Sequence, residues 1–160
     1  MIIKKTITDD EVMEFAKNLR LADRDEIRLM SKTPADAIFT SAEATRYLYG
    51  VYNNAGKPLG ICGISDRGDK DNAIVWLLST PLVSNHPIEF SKIIKNLLYQ
   101  HETEYSTFSN IMPVGSSNRK FVESLGFIFF DAEDELIEYN GHKFMRFEKR
   151  TERGLYADLN

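Results

Sequence analysis

Cysteine is almost absent from these 160 residues, with Cys62 standing alone. A single thiol excludes an internal disulfide framework and offers no metal-ligand spacing. It lies in the apolar run LGICGIS, where a small buried core residue is expected. Long hydrophobic runs are missing too. No apolar stretch reaches 18 residues, and the opening MIIKKTITDDEV carries no extended apolar segment. Neither a membrane span nor a signal peptide is expected, which points to a reducing, cytoplasm-like location. There is no excess of positive charge: the net is −4, so the field of the whole molecule gives no reason to expect nucleic acid as a partner. Repeats, low-complexity tracts and linker-like stretches are absent as well. A single domain over 1–150 is expected, followed by a C-terminal tail over 151–160.

What is present suits a globular chain: 42% hydrophobic and 28% charged residues. IIKKTI predicts a first strand. TDDEVMEFAKNL predicts a helix with Thr8 or Asp9 at its cap and acids in its first turn, where the helix dipole favours them. A second helix is predicted through ADRDEIRLMSK, and Pro34 opens a third short one. RYLYGVY and LGICGIS flank NNAGKP, a hairpin signal. NAIVWLLST, over 72–80, reads as a strand covered on both faces. In PIEFSKIIKNLLYQHETE, Phe90, Ile93, Ile94, Leu97 and Leu98 keep helical spacing, and Pro87 suits the first turn. STFSNIM predicts the next strand, SNRKFVESL a short helix, FIFFD another strand, and ELIEYNGHKFMRFEKR a final Asn-Gly hairpin. The fold class is a mixed α/β sheet with helices on both faces. Its strands near 73–79 and 107–112 are predicted to be parallel through a right-handed crossover and to splay at their C-terminal ends.

Single residues divide between bland and functional readings. Trp76, in the central strand, is expected in the core. His101 is expected at the surface, at the end of the long helix. His86 sits in a loop or caps a helix, and His142 lies beside the Asn-Gly turn. No metal site is expected. Residues 131–138 carry five acids (Asp131, Glu133, Asp134, Glu135, Glu138) and no base. A solvated edge is the simple account of them, with attraction of an amine as the functional one. Asn118 either touches a cofactor or sits in the first turn of a helix capped by Ser116 or Ser117.

IVWLLSTP followed by the long helix, and NRKFVESLGF, which is similar to an Asn…Phe/Tyr-x-x-x-Gly-Phe segment, resemble the GNAT acyltransferase superfamily over nearly the whole chain. Through LRLADRDEI, VWLLSTPLVSNHPIEFSKI and GSSNRKFVESLGFIFF, the chain is most similar to small phage-encoded GNAT-like proteins of the podophage internal virion protein A type. The resemblance implies acetyl-CoA in a V between the two central strands. The backbone at Ser79 and Thr80 would pair with pantetheine. The start of the long helix, with Ser84 and Asn85, would hold the pyrophosphate, and Asn118 would lie near the cofactor. It also implies an amine attacking the thioester.

Two departures qualify that expectation. The family's phosphate loop is glycine-rich so that backbone can approach the phosphates closely. Here the loop is SNHPIEF, no glycine lies between Gly68 and Gly115, Pro87 lacks an N–H, and Glu89 adds a negative charge. The tyrosine acid that often precedes the Gly of LGF by four residues is replaced by Val122, which cannot donate a proton. No catalytic residue is assignable. The expectation is weak or absent acetyl-CoA binding and a weakly active or non-catalytic binding role among phage virion proteins, in the host cytoplasm or the virion. The alternative is an acetyl-CoA-dependent N-acyltransferase acting on an amine of a small molecule or a protein. Leu155, Tyr156 and Leu159 of the tail are candidates for docking on a partner, and the oligomeric state is left open.

Overall fold

Thr8 starts the first helix by a reciprocal exchange. Its hydroxyl accepts the Glu11 N–H at 3.2 Å, while the Glu11 carboxylate takes the Thr8 N–H at 3.3 Å. This capping box satisfies two backbone donors at once, and α1 follows over Asp9–Lys17. The computed structural model describes residues 1–30, 32–66, 69 and 71–159, with side chains through 156. Contacts within the chain group into two units, one of residues 1–65 and 76–87, the other of residues 66–75 and 88–160.

The first unit holds β1 (Ile2–Lys4), α1, α2 (Leu21–Leu29), α3 (Pro34–Glu43), β2 (Tyr47–Tyr52) and β3 (Pro58–Ser65). The C-terminal half of β4 (Asn72–Ser79) and a 3-10 turn over Pro81–Asn85 complete it. α2 stops at Leu29, short of the expected end. Ser31, within that expected helix, lies outside the described residues. β2 pairs antiparallel with β3 as the hairpin signal predicts, and β1 pairs antiparallel with β2. Val12, Phe15, Ala16 and Leu19 recur at helical spacing and are buried with Ile38 and Ile61. Phe15 packs on Tyr52 with ring centroids 5.4 Å apart. Burying such an aromatic fully contributes about 2–3 kcal/mol.

The second unit is built around β8 (His142–Arg150). On one side β8 runs antiparallel to β5 (Thr107–Pro113), from Thr107↔Arg150 to Pro113↔Phe144. On the other it pairs with β6 (Ile128–Phe130) and then β7 (Ile137–Tyr139). Asn140 and Gly141 make the β7–β8 turn, both with positive φ (52° and 74°), as an Asn-Gly hairpin requires. Phe147 of β8 meets Phe127 edge-on at 5.4 Å and Phe129 at 5.3 Å. α4 spans Pro87–Tyr99 and turns Phe90, Ile94, Leu97 and Leu98 inward. α5 spans Arg119–Ser124.

The first half of β4 belongs to this second unit and runs parallel to β5 through Asn72↔Thr107, Ala73↔Phe108 and Ile74↔Ser109. The parallel crossover expected from the sequence is therefore present. Its register ends at the third pair.

The segment 151–160, expected as a tail, contains a helix, α6 (Glu152–Leu159). Thr151 is fully buried. Its N–H reaches the Ser106 carbonyl at 3.0 Å, its hydroxyl donates to the Tyr105 carbonyl, and it accepts the Gly154 N–H at 3.2 Å. A Cβ on Gly154 would stand 2.2 Å from the Ser106 carbonyl oxygen, so only glycine allows this approach. Leu155 and Tyr156 are exposed; the Leu159 side chain, expected beside them, and Asn160 lie outside the described residues.

A close approach also fixes Trp76. A Cβ on Gly63 would fall 2.2 Å from the indole Nε1, which donates to Thr45 Oγ1 at 2.9 Å. The indole thus lies against bare backbone and is half-buried. Gly63→Ala is expected to displace the ring and cost about 2–4 kcal/mol of stability. Since Trp76 is the chain's one tryptophan, a red shift of its emission together with a lower denaturation midpoint checks this directly.

Candidate functional site

Of the expected pantetheine contacts, Ser79 and Thr80, the first is set by a buried carboxylate. Asp23, 2% exposed, takes Arg20 in a fork, with Nη2 at 3.0 Å and Nε at 3.3 Å. The same carboxylate accepts the Ser79 N–H at 2.8 Å and the Ser79 hydroxyl at 3.3 Å. The Arg20 N–H returns to the Ser79 carbonyl at 2.9 Å. Thr80 donates its N–H to the Leu59 carbonyl at 2.9 Å and its hydroxyl to the Pro58 carbonyl at 2.7 Å; its own carbonyl accepts the Val83 N–H at 3.1 Å. Every main-chain polar group of Ser79 and Thr80 is therefore engaged within the protein. Upstream on the same strand, Trp76, Leu77 and Leu78 are only half-buried, although a strand covered on both faces was expected.

The would-be phosphate loop is the 3-10 turn followed by the start of α4. Ser84 and Asn85 are exposed there, and the Ser84 hydroxyl donates to the Pro81 carbonyl at 2.8 Å. The His86 N–H is bonded to the Val83 carbonyl at 3.0 Å. α4 then opens on Pro87, which has no N–H, with Glu89 in its first turn. An anion cradle needs several free N–H groups aimed at one point and positive potential. Here Pro87 contributes no N–H and Glu89 adds a carboxylate to the first turn. Asn118 belongs to the second unit. Its N–H is taken by Ser116 Oγ at 3.1 Å, its carbonyl accepts the Val122 N–H at 3.1 Å, and its side chain caps nothing on α5. The N-cap residue of α5 is Asn118 itself, where the sequence placed Ser116 or Ser117, and Ser116 holds the Asn118 N–H in the preceding turn.

Other candidates are accounted for by local partners. His101 is buried, not superficial, with Nδ1 2.7 Å from Glu104 Oε2, because the chain curls under the end of α4. Asp131 is paired with Arg119 at 2.9 Å and Glu133 with Lys143 at 2.7 Å, on an exposed edge. Burial pushes the Cys62 thiol up to about 12, which leaves it a poor nucleophile. Among the described residues no cluster of three or more His, Cys, Asp or Glu could hold a metal ion, and no helix is long and apolar enough to cross a membrane. Asp23 escaped the sequence reading because Arg20 and Asp23 stand three apart on a polar helix, the pattern of an ordinary surface pair.

With this geometry in hand, the comparisons give a fold. No family model and no curated protein matches the chain. Solved structures do. A mutant of the spermidine N-acetyltransferase from Vibrio cholerae is 11% identical and superposes with TM-score 0.66 over 99% of each chain. A GNAT-family acetyltransferase from Streptococcus pneumoniae is 13% identical, with TM-score 0.60 over 94% of this chain and 98% of that one. An aminoglycoside 6'-N-acetyltransferase in complex with coenzyme A is 11% identical, with TM-score 0.60 over 94% and 97%. The chain has the GNAT acetyltransferase fold, a mixed sheet flanked by helices, as expected.

A further charged cluster joins β1, α1 and β2. Glu11 accepts Lys4 Nζ and the Tyr52 hydroxyl, each at 2.9 Å. Lys4, then Tyr52, hold the Glu11 carboxyl down to about 2, and burial with the nearby carboxylate pushes the Tyr52 phenol up. A carboxyl depressed on folding stabilises the protein above its ordinary pKa and loses that contribution as pH falls toward the folded value. Stability measured by urea unfolding should therefore fall between pH 5 and 2 in part through Glu11, by about 1–2 kcal/mol after allowing for partial exposure. Glu11→Gln should flatten that segment of the profile and leave the rest unchanged.

Proposed function

We propose that this protein is a GNAT-fold member whose CoA-thioester site is degenerate, binding the cofactor weakly and transferring acyl groups slowly or not at all. One observation carries the reading: on an acetyltransferase fold, the main chain at Ser79 and Thr80 and the start of α4 are already committed to internal bonds, a proline and an acid. Val122, in place of a proton donor, and the absence of an assignable base agree with it. The coenzyme A complex of the aminoglycoside N-acetyltransferase supports the cofactor class. Full N-acyltransferase activity toward an amine is the competing reading, and the N-acetyltransferases of the same fold favour it.

Calorimetric titration with acetyl-CoA and with CoA separates the two. Dissociation constants well above micromolar are expected. Glu89→Arg should tighten binding roughly three- to tenfold by removing a like charge beside the phosphates. A micromolar or tighter constant in the unaltered protein overturns the reading of a degenerate site.

We also propose that a protein partner gives this fold its use. The resemblance of its sequence motifs to internal virion proteins, together with Leu155 and Tyr156 exposed on α6, supports that role. Leu155→Asp with Tyr156→Asp should abolish incorporation into phage particles while leaving the melting temperature within about 2 °C, as surface changes do. Unimpaired incorporation removes α6 from consideration.

A further inference from the structure

The parallel ladder between β4 and β5 breaks at a definable bond. Thr107 donates its N–H to the Asp71 carbonyl at 3.0 Å, which sets the phase of the ladder. Parallel ladders advance by two residues on each strand, so carbonyls 71, 73 and 75 face N–H groups 107, 109 and 111. The next bond due after Ile74↔Ser109 is therefore Ile111 N–H to the Val75 carbonyl. The paired register ends before it, and the Ile111 N–H goes to Asn110 Oδ1 at 2.8 Å, while Asn110 Nδ2 donates to the Val75 carbonyl at 2.7 Å. One side-chain carboxamide has been spliced into the ladder, accepting on one side and donating on the other as a peptide group would.

We infer that Asn110 is the residue that parts the two strands. Its amide satisfies both main-chain groups while separating them by up to roughly one strand spacing, about 4.8 Å. A strand pair that simply diverged would leave an N–H and a carbonyl unmet near the core, which is costly. The carboxamide removes that cost and makes the end of the ladder at Val75 a stable feature. Chemically it stands in for the amide of an extended ligand, and it is a positioning residue for any amide-bearing ligand that lies along β4. That consequence rests on the CoA-thioester reading above; the splice itself does not.

Asn110→Val removes the amide and keeps a good strand former. Through-hydrogen-bond NMR couplings in the labelled protein read the bond directly. In the unaltered chain a coupling is expected between Asn110 Nδ2 and the Val75 carbonyl carbon. In Asn110→Val it should be replaced by one between the Ile111 nitrogen and that carbon, with Ile111 amide exchange slowed at least tenfold. Acetyl-CoA affinity should fall at least tenfold as the strands close. A folded variant in which the Ile111–Val75 coupling does not appear overturns the inference, and should Asn110→Val not fold, Asn110→Ser is read by the same coupling and the same criterion. Failure of the unaltered protein to respond to acetyl-CoA removes only the ligand consequence and agrees with a degenerate site, a micromolar or tighter constant overturns that reading, and in either case the couplings decide what Asn110 does.

Discussion

The carboxylate of Asp23 is the constraint on which the end of β4 depends. A buried charge is tolerated only when its partners replace the lost water, and here a guanidinium fork, a backbone N–H and a hydroxyl do so together. Through it the start of α2 is fastened to Ser79, and the direction in which the chain leaves the strand is set. Removing one partner from such a group typically costs about 3–5 kcal/mol, because the other is left charged and alone. The Ser79 N–H and hydroxyl are both spent on holding the strand end.

The elements were legible in the sequence wherever a local signal agreed with the final packing. α4 follows from the spacing of Phe90, Ile94, Leu97 and Leu98, and the β7–β8 turn from Asn140 and Gly141. The capped start of α1 follows from Thr8 and Glu11. The parallel crossover was legible because two apolar strands joined by one long helix have few alternatives. α6 was not, since Gly154 weakens any helical pattern and its reason is a carbonyl 48 residues away in sequence, at Ser106. His101 was misplaced for the same kind of reason, its burial coming from how the chain turns after α4.

The candidate site was less legible than the fold. Sequence alone showed that the glycines and the tyrosine of the resembled family are missing from SNHPIEF and from the helix before LGF, and Pro87 and Glu89 do stand in the first turn of α4. It gave no hint that Asp23 would claim the Ser79 N–H or that Asn110 would bridge a strand pair. Polar residues that bond main chain across long sequence separations leave no periodicity, so pattern reading passes over them.

The terminal strands have a consequence for solubility. β1 and β6 end the strand order, and each is three residues long. Unpaired strand edges are templates on which another chain can add a strand, and length is what makes them effective. Three residues offer an incoming strand only one or two backbone bonds, too few to hold it against the entropy of association. Lys4 at the end of β1 is moreover drawn onto Glu11, placing charge at that edge. Edge-to-edge addition of a further strand at β1 or β6 is therefore disfavoured.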